Sequence, residues 1–202
     1  MKKLIILLIA VSFSFQFTAC KSEVKKEIEP EKTAKFSLEN AENNIGWTAY
    51  KTTEKIGVNG QFNKIDITKN GEGNSIKEAI NNVEFSIPVS SIFTKDKSRD
   101  YKIQKFFFGI MENTSLLSGK LSLTDETNGV AEITMNGITE KLPFTYTIAD
   151  KTFSMTSIMN IENWKANKAL ASLNEACKDL HSGADGISKT WNEVALNISS
   201  TF

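Results

Sequence analysis

AEITMNGITEKLPFTYTI, residues 131–148, is the stretch whose reading decides the fold. Ala131, Ile133 and Met135 share one phase, and Leu142, Phe144, Tyr146 and Ile148 alternate with Pro143, Thr145 and Thr147. Between the two runs sits Asn136-Gly137, a dipeptide suited to the tight turn that joins antiparallel strands. Side chains in a strand point alternately to opposite faces, so this pattern predicts a hairpin with one face buried.

Working outward, the residues before the hairpin carry more strands. Leu121 and Leu123 alternate with polar neighbours before TDETNG, residues 124–129, turns the chain. Upstream, SSIFTKDKSRDYKIQKFFFGIMENTSLLSG, residues 90–119, breaks the rhythm. Ser98 is a candidate helix cap, Ile103, Phe106, Phe107 and Ile110 recur at helical spacing, and Gly109 is a stop. A short helix near 98–109 is therefore expected to cross between two strands. Earlier still, VEFSIPV reads as strand, SIKEAINN as one helical turn and KNGEGN as a turn. Ile56, Val58, Gly60 and Phe62 share one phase and Ile65 and Ile67 the other, which suggests a bulge or bend near Gly60. AKFSLEN and NIGWTAYKT suggest paired strands at the start of the domain.

After the hairpin, KTFSMTSIMNIEN reads as strand, and then the period lengthens. Ala166, Ala169, Leu170, Leu173, Cys177 and Leu180 fall on one face of a longer helix near 164–181. SGADG ends it, and TWNEVALNISSTF closes the chain as a last strand. Many short strands, two helices and no alternation of strand with helix predict a mainly β fold, an antiparallel barrel or sandwich.

The first residues are set apart. MKKLIILLIAVSFSFQFTAC has two lysines, an apolar run and small residues before Cys20, the layout of a secretory leader. Its apolar run falls short of the ~20 residues that span a bilayer. Phe17-Thr18-Ala19-Cys20 resembles a bacterial lipobox, which makes residues 1–20 a lipoprotein signal peptide and Cys20 an acylated first residue that anchors the protein to a membrane. Residues 21–33, KSEVKKEIEPEKT, are too charged to bury a core and read as a flexible tether, leaving 34–202 as the domain. Without Lys2 and Lys3 the 24 basic residues become 22, against 24 acidic ones. That balance gives nothing to gain from counterion release, so nucleic acid is not expected as a partner.

GVNGQF at 57–62, SSIFTKDKSRDYKIQKFF at 90–107 and the apolar strands that follow resemble the YceI-like family of polyisoprenoid-binding, lipocalin-like proteins. The resemblance covers roughly Asn43 to the C-terminus and is most specific at Arg99-Asp100 and the phenylalanines after them. It implies an antiparallel β-barrel around an elongated apolar cavity that holds a long isoprenoid. Residues 163–194 stand out as a helical insertion before the last strand that would plug or gate such a cavity.

An apolar ligand requires a wall free of unpaired polar groups. Trp47, Tyr50, Phe62, Phe85, Phe106, Phe107, Phe144, Met155 and Trp164 are the candidates for that wall, each equally able to serve as core. Phe106, Phe107 and Trp164 would close the cavity, and Trp47 and Tyr50 would line it. Arg99 suits either a ligand head group or a nearby carboxylate that pins the helix, with Asp100 favouring the second role. His181 and Cys177 lie four residues apart, yet two ligands make no metal site, and no zinc spacing accompanies them. A hydrolytic triad would have to recruit His181 with Ser182 or Ser188, and no glycine-flanked nucleophile elbow is present. The expected function is non-enzymatic binding, sequestration or transport of an isoprenoid, quinone or similar lipid in the cell envelope, with no cofactor. Two alternatives stand beside it: an interaction module with a side-chain-filled barrel and a partner-binding helix, and an envelope hydrolase that depends on His181.

Overall fold

The computed structural model describes residues 34–202. The leader, Cys20 and the tether lie outside the described residues. In chain order the strands are β1 (Phe36–Ser37), β2 (Glu42–Lys51), β3 (Ile56–Phe62), β4 (Asp66–Lys69), β5 (Glu72–Gly73), β6 (Glu84–Pro88), β7 (Ile92–Phe93), β8 (Leu116–Leu123), β9 (Asn128–Met135), β10 (Ile138–Ala149), β11 (Thr152–Asn160) and β12 (Thr190–Thr201). The α-helices are α1 (Ile76–Ile80), α2 (Lys97–Phe106), α3 (Asn167–Ala176) and α4 (Lys178–His181).

The hairpin forms as its alternation requires. Met135 pairs with Ile138 in the β9–β10 ladder, and Asn136 and Gly137 both have positive φ, 53° and 68°. That is the backbone a two-residue turn needs to match the twist of its strands. Ala131, Met135, Leu142, Phe144 and Tyr146 are buried, whereas Thr145 and Thr156 pair on the outer surface.

Ten strands form one antiparallel sheet in the order β4-β6-β8-β9-β10-β11-β12-β2-β3-β7, and β1 and β5 pair separately. The sheet is mainly antiparallel β as expected, and it curls. β3 and β7 lie at one end of the order, β4 and β6 at the other. Yet only three residues, 63–65, link β3 to β4, and only three, 89–91, link β6 to β7. A chain that short reaches roughly 13 Å at most, so the two ends of the sheet must meet. No ladder joins β4 to β7. At the seam the two links touch instead, with the Asn63 N–H donating to the Ser91 carbonyl at 2.9 Å.

Two expectations about the early strands are corrected. β1 pairs with β5, not with β2, because Phe36 packs edge-on against the C-terminal Phe202 at 5.6 Å and folds across the barrel's end. No bulge falls at Gly60: β2 and β3 keep unbroken register from Ile45–Phe62 to Lys51–Ile56. Gly60 is there for contact, since a Cβ on it would lie 2.1 Å from Cζ2 of Trp47.

The helices close the ends. α1 and the β1–β5 pair cover one end, while α2 and α3 pack together over the other. α2 starts one residue before the expected 98. Its cap is Asp96, not Ser98: the Asp96 carboxylate accepts from the N–H groups of Ser98 at 2.9 Å and Arg99 at 3.1 Å. It stops at Phe106, and Phe108–Ile110 form a 3-10 turn, so Ile110 rotates out to solvent. The expected single helix over 164–181 is three pieces. Ile161–Trp164 is a 3-10 turn, Lys165 breaks it with φ 54°, and the non-helical ψ of Cys177 separates α3 from α4. The break leaves Leu180 exposed rather than on the buried face.

Candidate functional site

The in-phase residues of the curled sheet do not meet at the centre. They leave an apolar cavity of ≈ 210 Å³. It is bounded at one end by Asn43 and Ser200 and at the other by Thr190 and Trp191. Thr190 and Ser200 lie at opposite ends of β12, roughly 30 Å apart along the strand, which makes the space long. Between those ends the wall is built of aliphatic and aromatic side chains, among them Leu196 and Ile198 of β12, Met155 beside Ile198 on β11, Phe62 of β3 and Phe85 of β6.

Polar groups at both ends are satisfied by the protein itself. At the Ser200 end, the Ser200 hydroxyl donates to Asn43 Oδ1 at 2.6 Å, and the Asn43 amide donates to the Leu38 carbonyl at 2.8 Å. At the other end Trp191 Nε1 donates to the Thr52 carbonyl at 2.8 Å. The Thr190 hydroxyl donates to Asn174 Oδ1 at 2.8 Å, so towards His181 Nδ1, at 2.6 Å, it acts as acceptor. His181 accordingly carries a proton on Nδ1. Burial lowers its pKa to about 4, and the positive charges of Lys51, Lys102 and Arg99 add to that. Burial also pushes the Cys177 thiol up, which leaves it an inert small side chain. Among the described residues no cluster of three or more metal-ligating side chains occurs.

The structure sorts the predicted wall. Trp47, Phe62, Phe85, Phe107 and Met155 line the cavity. The other four wall candidates are elsewhere, each for a local reason. Tyr50 is an odd number of residues from Trp47 in β2, so it points outward, beneath the Lys55 ammonium. Phe106 ends α2 on the side away from the cavity, with Lys105 over its ring. Phe108, which takes its place, is buried against Phe62 at 6.3 Å. Phe144 is core: its ring lies on Gly129, where a Cβ would meet it at 2.2 Å. Trp164 is fully buried and donates its Nε1 proton to the Ile133 carbonyl at 2.9 Å, so it fastens the lid to the wall without reaching the cavity. Arg99 is half-exposed, 3.8 Å from the Asp96 carboxylate, in the pinning role. Asp100 does more of that work, accepting from the Thr94 N–H at 2.9 Å and hydroxyl at 2.6 Å.

Sequence reasoning missed the aliphatic half of the wall. Leu170 and Leu173 of α3 and Ile103 of α2 face the cavity. Their helical spacing was the signal; which way those faces turn depends on how the helices dock.

The fold has solved counterparts. A polyisoprenoid-binding domain from Saccharophagus degradans matches with a TM-score of 0.56 at 8% identity, over 83% of this chain and 95% of that one. Burkholderia cenocepacia BcnA matches with a TM-score of 0.51 at 13% identity, over 83% and 99% of the two chains. At these identities the likeness is one of fold. Among curated proteins none matches. The sequence is more specific: residues 36–202 match the YceI-like domain throughout, and the chain belongs to the YceI-like family.

Proposed function

We propose that this protein binds a long-chain isoprenoid, or a comparable amphiphile such as a quinone, within its barrel and sequesters or carries it in the bacterial cell envelope without chemical change. The supporting observation is the cavity, long and apolar between two self-satisfied polar ends. A ligand there gains roughly 25 cal/mol per Å² of apolar surface removed from water, and the mid-wall offers a polar chain only the buried Trp47 indole N–H, which has no partner among the described residues. The polyisoprenoid-binding counterpart of like fold supports the same ligand class. Cys20 supplies the anchor in this reading, with acyl chains holding the protein to a membrane by way of the 21–33 tether.

Native mass spectrometry with solvent extraction tests this on the protein from Lys21 onward, purified without detergent. A co-purified or added polyprenol retained at one per chain is the expected result. Failure to take up any added polyprenol would leave the barrel as an interaction module, and the helical lid as its contact surface.

A further inference from the structure

Helix α2 is a wall with two unlike sides. Ile103 and Phe107, one turn apart, face the cavity. Lys97, Tyr101 and Lys105 recur every fourth residue on the other side, and all three are exposed. Lys105 reaches between two rings there: its ammonium lies 5.4 Å from the Tyr101 centroid and 5.3 Å from that of Phe106, and it donates to the Tyr101 hydroxyl at 3.0 Å. Ile110, just beyond the helix, is turned to solvent as well. Over the whole chain the charges balance, 24 basic against 24 acidic, yet residues 95–105 hold Lys95, Lys97, Arg99, Lys102 and Lys105 against only Asp96 and Asp100. Both acids are engaged: Asp96 caps the helix and faces Arg99, and the half-buried Asp100 is bonded to Thr94. Lys95, Lys97 and Lys105 are exposed and make no ion pair among the described residues. The neighbouring α3 and α4 are balanced, with Lys168 and Lys178 against Glu175 and Asp179, so the positive excess of these three helices is that of α2.

We infer that the outer face of α2 docks on a bilayer surface that carries anionic head groups, a contact separate from any acyl anchor. Unpaired lysines set among exposed aromatic and aliphatic side chains match that partner. The ammonium groups meet the phosphate layer while the Tyr101 and Phe106 rings and Ile110 reach the acyl boundary, and a lysine that already lies along two rings keeps its charge at head-group level. The length of chain before the domain permits it. Residues 21–33 reach roughly 45 Å at most, more than the roughly 30 Å between the ends of the cavity. A chain held at Cys20 and entering the domain near Phe36 therefore lets the α2 end meet the same surface. The docking face backs directly onto Ile103 and Phe107, so this end of the cavity lies one helix away from the bilayer. The contact does not depend on what fills the cavity.

Vesicle co-sedimentation tests it on the protein from Lys21 onward, which lacks Cys20, with vesicles of phosphatidylcholine alone and with about 30% phosphatidylglycerol added. The expected result is about tenfold tighter binding to the anionic vesicles, lost at about 0.5 M salt. Lys97→Glu/Lys105→Glu should remove that preference. Lys35→Glu/Lys151→Glu makes the same change of charge at exposed lysines of the opposite end, beside Phe36 and Phe202, and should keep the preference to within about twofold. Cys177 is then the only native cysteine and is buried, so Tyr101→Cys takes a polarity-sensitive fluorophore alone, whose emission should shift to the blue on anionic vesicles. Equal binding to both vesicles, binding to neither, equal loss in the two double variants, or a label that stays in water would overturn the inference. Thermal unfolding verifies that each variant is folded, and polyprenol uptake is read separately, so docking fails or stands without deciding the cavity reading.

Discussion

The side-chain amide of Asn136 donates to the main-chain carbonyl of Trp164 at 2.8 Å, while its Oδ1 accepts from the Glu112 N–H at 2.9 Å. The hairpin turn thus clamps both arms of the lid, the one leaving α2 and the one entering α3. Asn136→Asp keeps the acceptor and tolerates the positive φ, but sets a carboxylate against the Trp164 carbonyl. We predict a loss of about 1–2 kcal/mol in denaturant unfolding and faster release of bound lipid. Release at an unchanged rate would mean that the lid does not open at this clamp.

Of the glycines, Gly60 leaves the least room for a Cβ, because the indole of Trp47, a residue of the cavity wall, lies over it. Gly60→Ala must push the indole into the cavity, at a cost of about 1–3 kcal/mol. Stoichiometric lipid retention should fall with it. A variant that melts lower yet binds as before would show that the indole moves along the wall instead.

Phe106 and Phe107 are neighbours with opposite surroundings. Phe107 lines the cavity and packs edge-on to Phe108 at 5.0 Å, whereas Phe106 does not reach it. Phe107→Asp should abolish retention of polyprenol; Phe106→Asp should leave it within about twofold. Equal effects in mass-spectrometric binding assays would sink this assignment.

The pKa of His181 is lowered from 6.5 to about 4 on folding. The unfolded chain therefore binds the proton first, and the stability that depends on a neutral His181 is complete above pH 6.5 and lost as the pH falls towards 4. After discounting for partial exposure the loss is of order 1–2 kcal/mol. Denaturation midpoints at pH 7.5 and 4.5 should differ less in His181→Gln than in the unaltered protein, and an identical difference would refute the linkage.

Asp100 holds the buried Thr94 by two hydrogen bonds, while Arg99 faces Asp96 near solvent. Asp100→Ala should cost about 2–3 kcal/mol, and Arg99→Ala less than about 1 kcal/mol. Thermal unfolding of the two variants would settle the order, and a reversed order would return the pinning role to Arg99.

The sheet was legible because strand periodicity is local: the β9–β10 hairpin could be read from alternation and one dipeptide. The same rule, applied to β2, places Trp47 and Tyr50 on opposite faces, so Tyr50 was excluded from the wall by information already in the sequence. Phe106, Phe107 and Phe108 are a different case. Three identical side chains in a row carry no phase, and the change from α-helix to 3-10 turn after Phe106 decides which points inward. The break at Lys165 was equally hidden, since a lysine with positive φ leaves no mark in composition. Trp164 shows the limit most sharply, because an aromatic residue at the lid's hinge serves core or cavity depending on a partner, the Ile133 carbonyl, that lies 31 residues away in the chain.

A barrel sealed all round by main-chain hydrogen bonds has its girth fixed by strand number and tilt. This one is a cuff laced at a single slit, where β4 and β7 leave the ladder unmade and two three-residue links do the lacing. Its bore can therefore widen by slack in the lacing, with every ladder intact. On the lipid-binding reading proposed above, a straight tail and a branched one of larger cross-section would then fit the same wall, and selectivity would pass from the width of the tail to whatever holds its end.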